Sequence, residues 1–175
     1  TLLDGNVDIQ AINNGYGPVY AGGLFAYRAL VIPNTSDDVD DMNMVVINSG
    51  KDGSTLTIKA EQSQSSRKIY DYSSYSYPLY DIDTGYFCGK LQNDYSLNNF
   101  KLTTNNASVT SQRSIGSTAI GNIFAGGLAG EARSDGSTGV FSNIDIILNN
   151  SSVNALSLSY ESQYTGFGNN AAVGG

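Results

Sequence analysis

The chain has 175 residues, a formal net charge of −7, no histidine and one cysteine, and its length fits one domain with a sizeable core. The negative charge and the lack of a basic stripe exclude a nucleic-acid-binding surface, and no apolar run approaches the roughly 20 residues of a membrane-spanning helix. Without histidine neither a Ser-His-Asp triad nor a histidine metal site can form, and a single cysteine excludes an intrachain disulfide.

The first predicted strand begins at the N-terminus and starts a recurring pattern. "NVDI", "NMVV", "NFKL" and "NIDI" each read Asn–apolar–x–apolar, and their lead residues are Asn6, Asn43, Asn99 and Asn143. Such alternation predicts strands with one buried face. The residues expected to point inward are Val7/Ile9, Met44/Val46, Phe100/Leu102 and Ile144/Ile146. Each lead asparagine is expected either to stack its amide in a ladder or to hold left-handed backbone geometry.

A glycine block recurs between these strands. "VYAGGLFAY" (19–27), "YFCGKLQND" (86–94) and "IFAGGLAGE" (123–131) share an aromatic residue, a small residue, Gly and Leu. The closing "VGG" (173–175) looks like the start of a further copy. Glycine is expected where the backbone turns sharply or closely approaches a neighbouring segment. The predicted equivalent positions are Gly22, Gly23 and Leu24, then Gly89 and Leu91, then Gly126, Gly127 and Leu128.

These two recurring elements predict an all-β fold, a β-solenoid resembling a parallel β-helix with irregular coils and long insertions. Successive lead asparagines lie 37, 56 and 44 residues apart, which favours turns with insertions of different size over a propeller. We expect one solenoid domain over 1–175. Its repeat blocks are predicted at roughly 1–21, 22–85, 86–122 and 123–172, with a further repeat beginning at 173–175.

The order of aromatic, Gly-Gly-Leu, variable loop and Asn–apolar–x–apolar resembles the GLUG-type repeats of microbial surface proteins and adhesins. It is similar as well to Gly- and Asn-rich β-helical extracellular fibre segments. The match is tightest at "AGGLAGEARSDGSTGVFSNIDI" (125–146), whereas Tyr27, Lys90 and Asp94 depart from it. The resemblance implies an extracellular, cell-surface stalk or adhesive fibre that has no catalysis of its own.

Three sets of residues are candidates for binding or modification. The acidic run at 36–43 is a weak candidate for calcium, because clustered carboxylates can supply several oxygen ligands; its members are Asp37, Asp38, Asp40 and Asp41. The tyrosine-rich stretch from residue 70 is a candidate interface with a neighbouring subunit or with sugars; its members are Tyr70, Tyr72, Tyr75, Tyr77 and Tyr80. Four sequons make glycosylation candidates, at Asn34, Asn106, Asn149 and Asn150.

Enzymatic signals are weak. Cys88 is expected to be a small buried residue at the position of Ala21 and Ala125. "DTG" (83–85) reads as a turn that leads into the second glycine block. Paired acids for glycoside chemistry remain the alternative, with Asp81 and Asp83, or Asp8 and Asp145, as the pairs. No cofactor is expected.

The function predicted first is therefore a non-catalytic structural or adhesive protein, a rigid segment of a surface adhesin or filament. Its expected partners are further copies of itself, head-to-tail or lateral, or adjoining repeats, and glycans are a further possibility. The predicted insertions, 31–41 and 63–84, are expected to carry these contacts. The alternative is a carbohydrate-active or carbohydrate-binding β-helix, either lyase-like or lectin-like.

Overall fold

The computed structural model describes residues 5–15, 17–29, 45–47, 53–63, 81–92, 97–114, 121–133, 141–157 and 171–174. Within these ranges the chain forms β-strands and no helix, so the all-β prediction is confirmed. The physical reason lies in the composition, since Asn, Ser, Gly and Thr are poor residues for a helix interior.

The described strands form four parallel sheets. Sheet A contains, in spatial order, β1 (Val7–Asn13), β5 (Leu56–Gln62), β9 (Ala107–Arg113) and β13 (Ser152–Ser157). Sheet B contains β2 (Val19–Gly22), β6 (Ile82–Gly85), β10 (Ile123–Gly126) and β14 (Ala171–Gly174). Sheet C contains β3 (Phe25–Ala29), β7 (Cys88–Gln92) and β11 (Ala129–Arg133). Sheet D contains β4 (Val45–Ile47), β8 (Leu97–Asn105) and β12 (Phe141–Asn149).

One rule describes the pairing in all four sheets: each strand pairs in parallel with the strand four places later in the chain. The described strands therefore fall into rows, namely β1–β4, β5–β8, β9–β12 and β13–β14. The boundaries of these rows differ from those of the four predicted repeat blocks. The predicted blocks are divided at the glycine motifs, and these motifs lie in the middle of a row.

The core consists of side chains that stack in columns across the rows. In sheet A, Ile58 lies between Ile9 and Val109 in the register, and both Ile58 and Val109 are fully buried. The rings of Phe87 and Phe100 meet edge-to-face at 5.1 Å between centroids. Each mid-sized apolar side chain buried in this way contributes about 1.5–3 kcal/mol. A row in the middle is covered from both sides, whereas Val7 and Ile9 of the first row are only partly buried.

The predicted inward positions hold for three of the four recurring strands. Phe100 and Leu102 are fully buried, and Val7, Ile9, Ile144 and Ile146 pack against the core. The strand predicted at "NMVV" differs by one residue. The sequence pattern predicts Val46 opposite Leu102, but the register pairs Val45 with Leu102. Met44 lies outside the described residues.

A column of glycines runs through sheet B, and its first three members lie where a row bends into sheet C. The column contains Gly22, Gly85, Gly126 and Gly174. A Cβ at Gly85 would lie 2.4 Å from the carbonyl oxygen of Cys88 and 2.6 Å from the Cα of Ala129. Gly22 and Gly126 meet the carbonyl oxygen three residues later in the same way. The bend is therefore too tight for any side chain.

This column corrects the alignment of the second glycine block. The counterpart of Gly22 and Gly126 is Gly85, in the "DTG" that the sequence analysis had read as a connecting turn. Gly89 lies on β7, where a Cβ would meet the carbonyl oxygen of Ala26 at 2.4 Å. The error arose because both "TGYF" and "FCGK" combine an aromatic residue with glycine, and local spacing does not reveal which glycine lies at the bend.

The same correction changes which residues are the counterparts of the predicted leucines and of Cys88. Leu24 and Leu128 precede the paired residues Phe25 and Ala129, so their counterpart in the second row is Phe87. Leu91 is buried, but it pairs with Arg28 and Ala132. Cys88 is fully buried as predicted, although it pairs with Phe25 and Ala129; Thr84 occupies the column of Ala21 and Ala125.

We predict that Gly85→Ala destabilises the protein by about 1–3 kcal/mol or more, because the added methyl group overlaps three backbone atoms. Gly174→Ala is the matched control, since Gly174 lies in the same column and a Cβ there meets nothing within 4 Å. Urea unfolding of both variants measures the difference. Equal stability of the two variants would contradict the assigned bend.

Candidate functional site

Paired asparagines form a ladder on sheet D. Asn99 and Asn143 both have positive φ, 51° and 52°, a conformation that asparagine tolerates better than most residues. The Nδ2 of Asn143 donates to the Oδ1 of Asn99 at 2.7 Å. Both roles expected of a lead asparagine, the amide ladder and the left-handed backbone, are thus present at this pair. Asn43 lies outside the described residues.

A second asparagine column marks the turn from sheet D into sheet A. Asn106 and Asn150 have φ of 49° and 45°, and the Nδ2 of Asn150 donates to the Oδ1 of Asn106 at 2.7 Å. In the row below, Thr55 donates its Oγ1 hydrogen to the Oδ1 of Asn6 at 3.2 Å. Val7 pairs with Leu56, and Leu56 pairs with Ala107, so these three residues form one column. Asn6, Thr55 and Asn106 each come directly before a member of that column.

Asn6 is therefore a correction to the predicted set of lead residues. It belongs with Asn106 and Asn150 before sheet A, whereas Asn99 and Asn143 lie in sheet D. The pattern Asn–apolar–x–apolar occurs at both places because any strand that follows an asparagine turn and buries one face shows it. Only the pairing partner distinguishes the two.

Three of the four sequon asparagines take part in amide hydrogen bonds between rows, Asn106 and Asn150 in the second column and Asn149 in a further pair. Asn149 donates to Asn105 at 2.9 Å, and Asn150 donates to Asn106. Asn149 and Asn150 are exposed, whereas Asn106 is half-buried. The amide nitrogen that would carry a glycan is thus already a hydrogen-bond donor at Asn149 and Asn150. Asn34 lies outside the described residues.

We predict that Asn143→Ala costs about 2 kcal/mol, since it forces alanine into the left-handed region and removes an amide hydrogen bond. Asn143→Gly is the control, because glycine accepts this φ and loses the hydrogen bond alone. The free energies of unfolding in urea should show the glycine variant to be the more stable of the two. The reverse order would argue against backbone strain at this position.

The described residues also contain a charged group in the interior that the sequence analysis missed. We call it the acid–lysine cluster: Asp83 on β6, Lys90 on β7 and Glu131 on β11. The Lys90 Nζ forms an ion pair with the Oε2 of Glu131 and lies 3.9 Å from the Oδ2 of Asp83. The exposed fractions of the three side chains are 0% for Asp83, 7% for Lys90 and 20% for Glu131.

Aromatic side chains surround this cluster. In the register of sheet B, Asp83 lies between Tyr20 in the row below and Phe124 in the row above. The Lys90 ammonium lies 5.6 Å from the centre of the Tyr20 ring. The Tyr20 ring in turn stacks on Tyr27, with 5.6 Å between centroids. These rings shield the cluster from water.

Burial dominates the electrostatics of Asp83. Desolvation raises the pKa of its carboxyl group to about 8, although the nearby Lys90 charge opposes the rise. Neither carboxyl oxygen has a hydrogen-bond partner among the described residues. At neutral pH the protonated, neutral carboxyl group is thus the favoured form.

The same environment acts differently on Lys90. Burial alone would lower the pKa of its amine, but the hydrogen bond to Glu131 and the charges of Asp83 and Glu131 outweigh burial, so the pKa is raised. The cluster therefore holds the Lys90 ammonium in contact with Glu131, beside the neutral carboxyl group of Asp83. A lysine and an acid with shifted pKa in one shielded site are a signature of functional positions, although buried ion-pair networks produce it too.

One signal in the sequence pointed toward this cluster, since Lys90 departs from the glycine motif. The column that Asp83 shares with Tyr20 and Phe124 follows only from the register. The signal at Lys90 does not identify the contact, because Glu131 lies 41 residues after Lys90 and reaches it only through the pairing of β7 with β11.

Of the two predicted acid pairs, Asp8 and Asp145 lie in different sheets, whereas the charge of Asp81 acts on Asp83 and helps to raise its pKa. Asp8 lies in sheet A and accepts a hydrogen bond from Gln10 at 2.6 Å. Asp145 lies in sheet D and pairs with Lys101 at 3.3 Å. Asp81 accepts a hydrogen bond from the backbone of Asn122 and is separated from Asp83 by one residue of the strand.

Two of the candidate sets lie outside the described residues: the acidic run Asp37, Asp38, Asp40 and Asp41, and the tyrosines Tyr70, Tyr72, Tyr75, Tyr77 and Tyr80. The residues that the structure does describe contain no group of three or more His, Cys, Asp or Glu side chains placed to hold a metal ion. The same part of the chain has no helix long and apolar enough to cross a membrane.

Comparison of the chain with protein-family models, with curated proteins and with solved structures finds no match. The geometry described above is therefore the basis on which its function is inferred.

Proposed function

We propose that this chain is a β-solenoid segment of an extracellular structural or adhesive protein, such as a surface adhesin or filament. The observation that carries the proposal is the pairing rule, in which every strand lies in register beside the strand four places later. A chain that winds through four sheets in turn, row upon row, is the arrangement of a solenoid. The adhesin assignment rests further on the resemblance to GLUG-type repeats.

The two ends of the stack support assembly. Among the described strands, β1 to β4 have a partner on one side only, as do β11 to β14. Ala125 is 1% exposed, yet Val173, directly above it in the same column, is 57% exposed. A further row placed on β14 would bury Val173 as Val173 buries Ala125. Unpaired strand edges with apolar residues favour such continuation.

The partner that fits these ends best is another row of the same kind. A second copy of this chain, stacked head-to-tail, would present the edges of β1 and β2 to those of β13 and β14. Adjoining repeats of a longer chain would provide the same surface. The direction agrees, since all pairs within the stack are parallel.

The carbohydrate-active alternative has less support. Glycoside hydrolysis needs two carboxyl groups about 5–10 Å apart in a cleft that admits a sugar. Asp83 is fully buried, and Asp8 and Asp145 belong to different sheets. We therefore propose a non-catalytic role.

We predict that Val173→Lys weakens self-association, because stacking would bury an unpaired ammonium. Thr57→Lys is the matched control, since Thr57 is exposed on β5 in the middle of sheet A and lies on the side of the stack. Sedimentation velocity over a range of concentrations, with negative-stain electron microscopy, should show end-to-end particles for the wild type and for the control. A monodisperse monomer at all concentrations of the wild type would overturn head-to-tail assembly.

The proposed location has its own test. Antibodies raised against the folded protein should label intact, unpermeabilised cells of the source organism, and the label should be lost after mild protease treatment of the cells. Label that appears only after permeabilisation would contradict an extracellular role.

A further inference from the structure

We propose that the acid–lysine cluster is a self-modification site, at which the Lys90 amine and the Asp83 carboxyl group condense to an amide that links β6 to β7. This inference does not depend on the proposed function, since it concerns the chemistry of three side chains within one chain. It adds a covalent bond to a chain whose single cysteine cannot form an intrachain disulfide.

The geometry provides a nucleophile and an electrophile. The Lys90 Nζ lies 3.9 Å from the Oδ2 of Asp83, and that oxygen is bonded to the carbon that would be attacked. Both residues lie on short strands joined by the tight bend at Tyr86 and Phe87, so the approach is held by the backbone. Fixing two reacting groups in this way replaces a bimolecular encounter and contributes a large part of the rate.

The protonation state of Asp83 also suits the reaction, and Glu131 offers a way to deprotonate Lys90. A carboxylate is a poor electrophile, but burial holds the pKa of Asp83 at about 8, so its carboxyl group is neutral at pH 7. The amine must be neutral to attack, and Glu131, in direct contact with its Nζ, is placed to take the proton.

The step balances without any co-reactant. Glu131 accepts one proton from the Lys90 ammonium, and the free amine attacks the Cγ of Asp83. The nitrogen then loses a second proton, which departs with the hydroxyl group of Asp83 as water. The starting set of ammonium, neutral carboxyl group and carboxylate becomes an amide, one water molecule and protonated Glu131. The total charge is zero before and after.

Removal of water favours the amide. Asp83 lies between Tyr20 and Phe124 in sheet B and is fully buried, so little water reaches the new bond. Formation of the bond also replaces the buried Lys90 ammonium by a neutral amide, and a buried charge is costlier to hold apart from water than an amide.

An exposed pair in the same protein provides an internal control. Lys101 Nζ lies 3.3 Å from the Oδ2 of Asp145, closer than in the cluster, but the two side chains are 44% and 56% exposed. Water has access to both groups there, and no third acid contacts the amine among the described residues. We expect this pair to stay unlinked.

The test is mass spectrometry of the folded wild-type protein. We expect the intact mass to be lower than that of the sequence by one water molecule. Trypsin, which cleaves after free lysine and arginine, should then give one peptide spanning 69–101 that lacks one water and is uncut at Lys90. Cleavage after Lys101 should be normal.

A second source of water loss must be distinguished. Asp–Gly steps such as Asp52-Gly53 can lose water as succinimides, but no Asp–Gly step occurs within 69–101. A succinimide also leaves cleavage at Lys90 unaffected. A folded wild type with the full mass, or with free cleavage at Lys90, would overturn the proposal.

Variants separate the roles. Lys90→Arg keeps the positive charge but removes the nucleophile, and Glu131→Gln keeps the shape but removes the proton acceptor. Both variants should therefore have the full mass expected from their sequences. Their circular dichroism should remain that of a β-protein. Lys101→Arg is the matched control and should still lose one water. Loss of water located within residues 69–101 of Lys90→Arg would overturn the proposal.

The pH dependence gives an independent measurement. When the wild-type chain is held in urea and then refolded at a set pH, the dehydrated form should accumulate more slowly above pH 8, where Asp83 becomes ionised. A rate that increases steadily through pH 8 and beyond would argue against the neutral carboxyl group as the electrophile.

Discussion

In-register parallel pairing is the constraint on which the rest of this structure depends. Because each strand lies directly beside the strand four places later, each side chain is placed above a residue of the same column. Apolar columns such as Ile9, Ile58 and Val109 form the core in this way. A stack of this kind needs no long-range crossing of the chain, since the covering residue always comes from the next row.

The same constraint explains why glycine and asparagine recur. Where successive rows bend at the same column, each row leaves no room for a side chain there. Gly22, Gly85 and Gly126 therefore all lie where a Cβ would overlap a backbone carbonyl oxygen. Where successive rows turn with a left-handed backbone at the same column, each row needs a residue that tolerates positive φ. Asparagine does so, and its side-chain amide donates a hydrogen bond to the asparagine below. The two residue types thus mark two different kinds of turn.

The acid–lysine cluster is an exception within this regularity. In its column, Asp83 lies between two aromatic residues, and Lys90 lies between Tyr27 and Glu131. A buried acid without hydrogen bonds reduces the stability of a fold. Such a residue is therefore expected to have another use. A covalent link between β6 and β7 is such a use, since it would fix the bend between two consecutive strands of one row.

The sequence by itself determined the all-β class, the recurring strands with one buried face, and the burial of Cys88, because alternation and composition act locally along the chain. It did not determine which residues share a column: Gly89 was taken for Gly85, and Asn6 was grouped with Asn99. Only the tertiary structure decided these, since register depends on partners about 44 to 49 residues away. The contact of Lys90 with Glu131 was beyond sequence reasoning for the same physical reason, because strand pairing alone brings the two charges together.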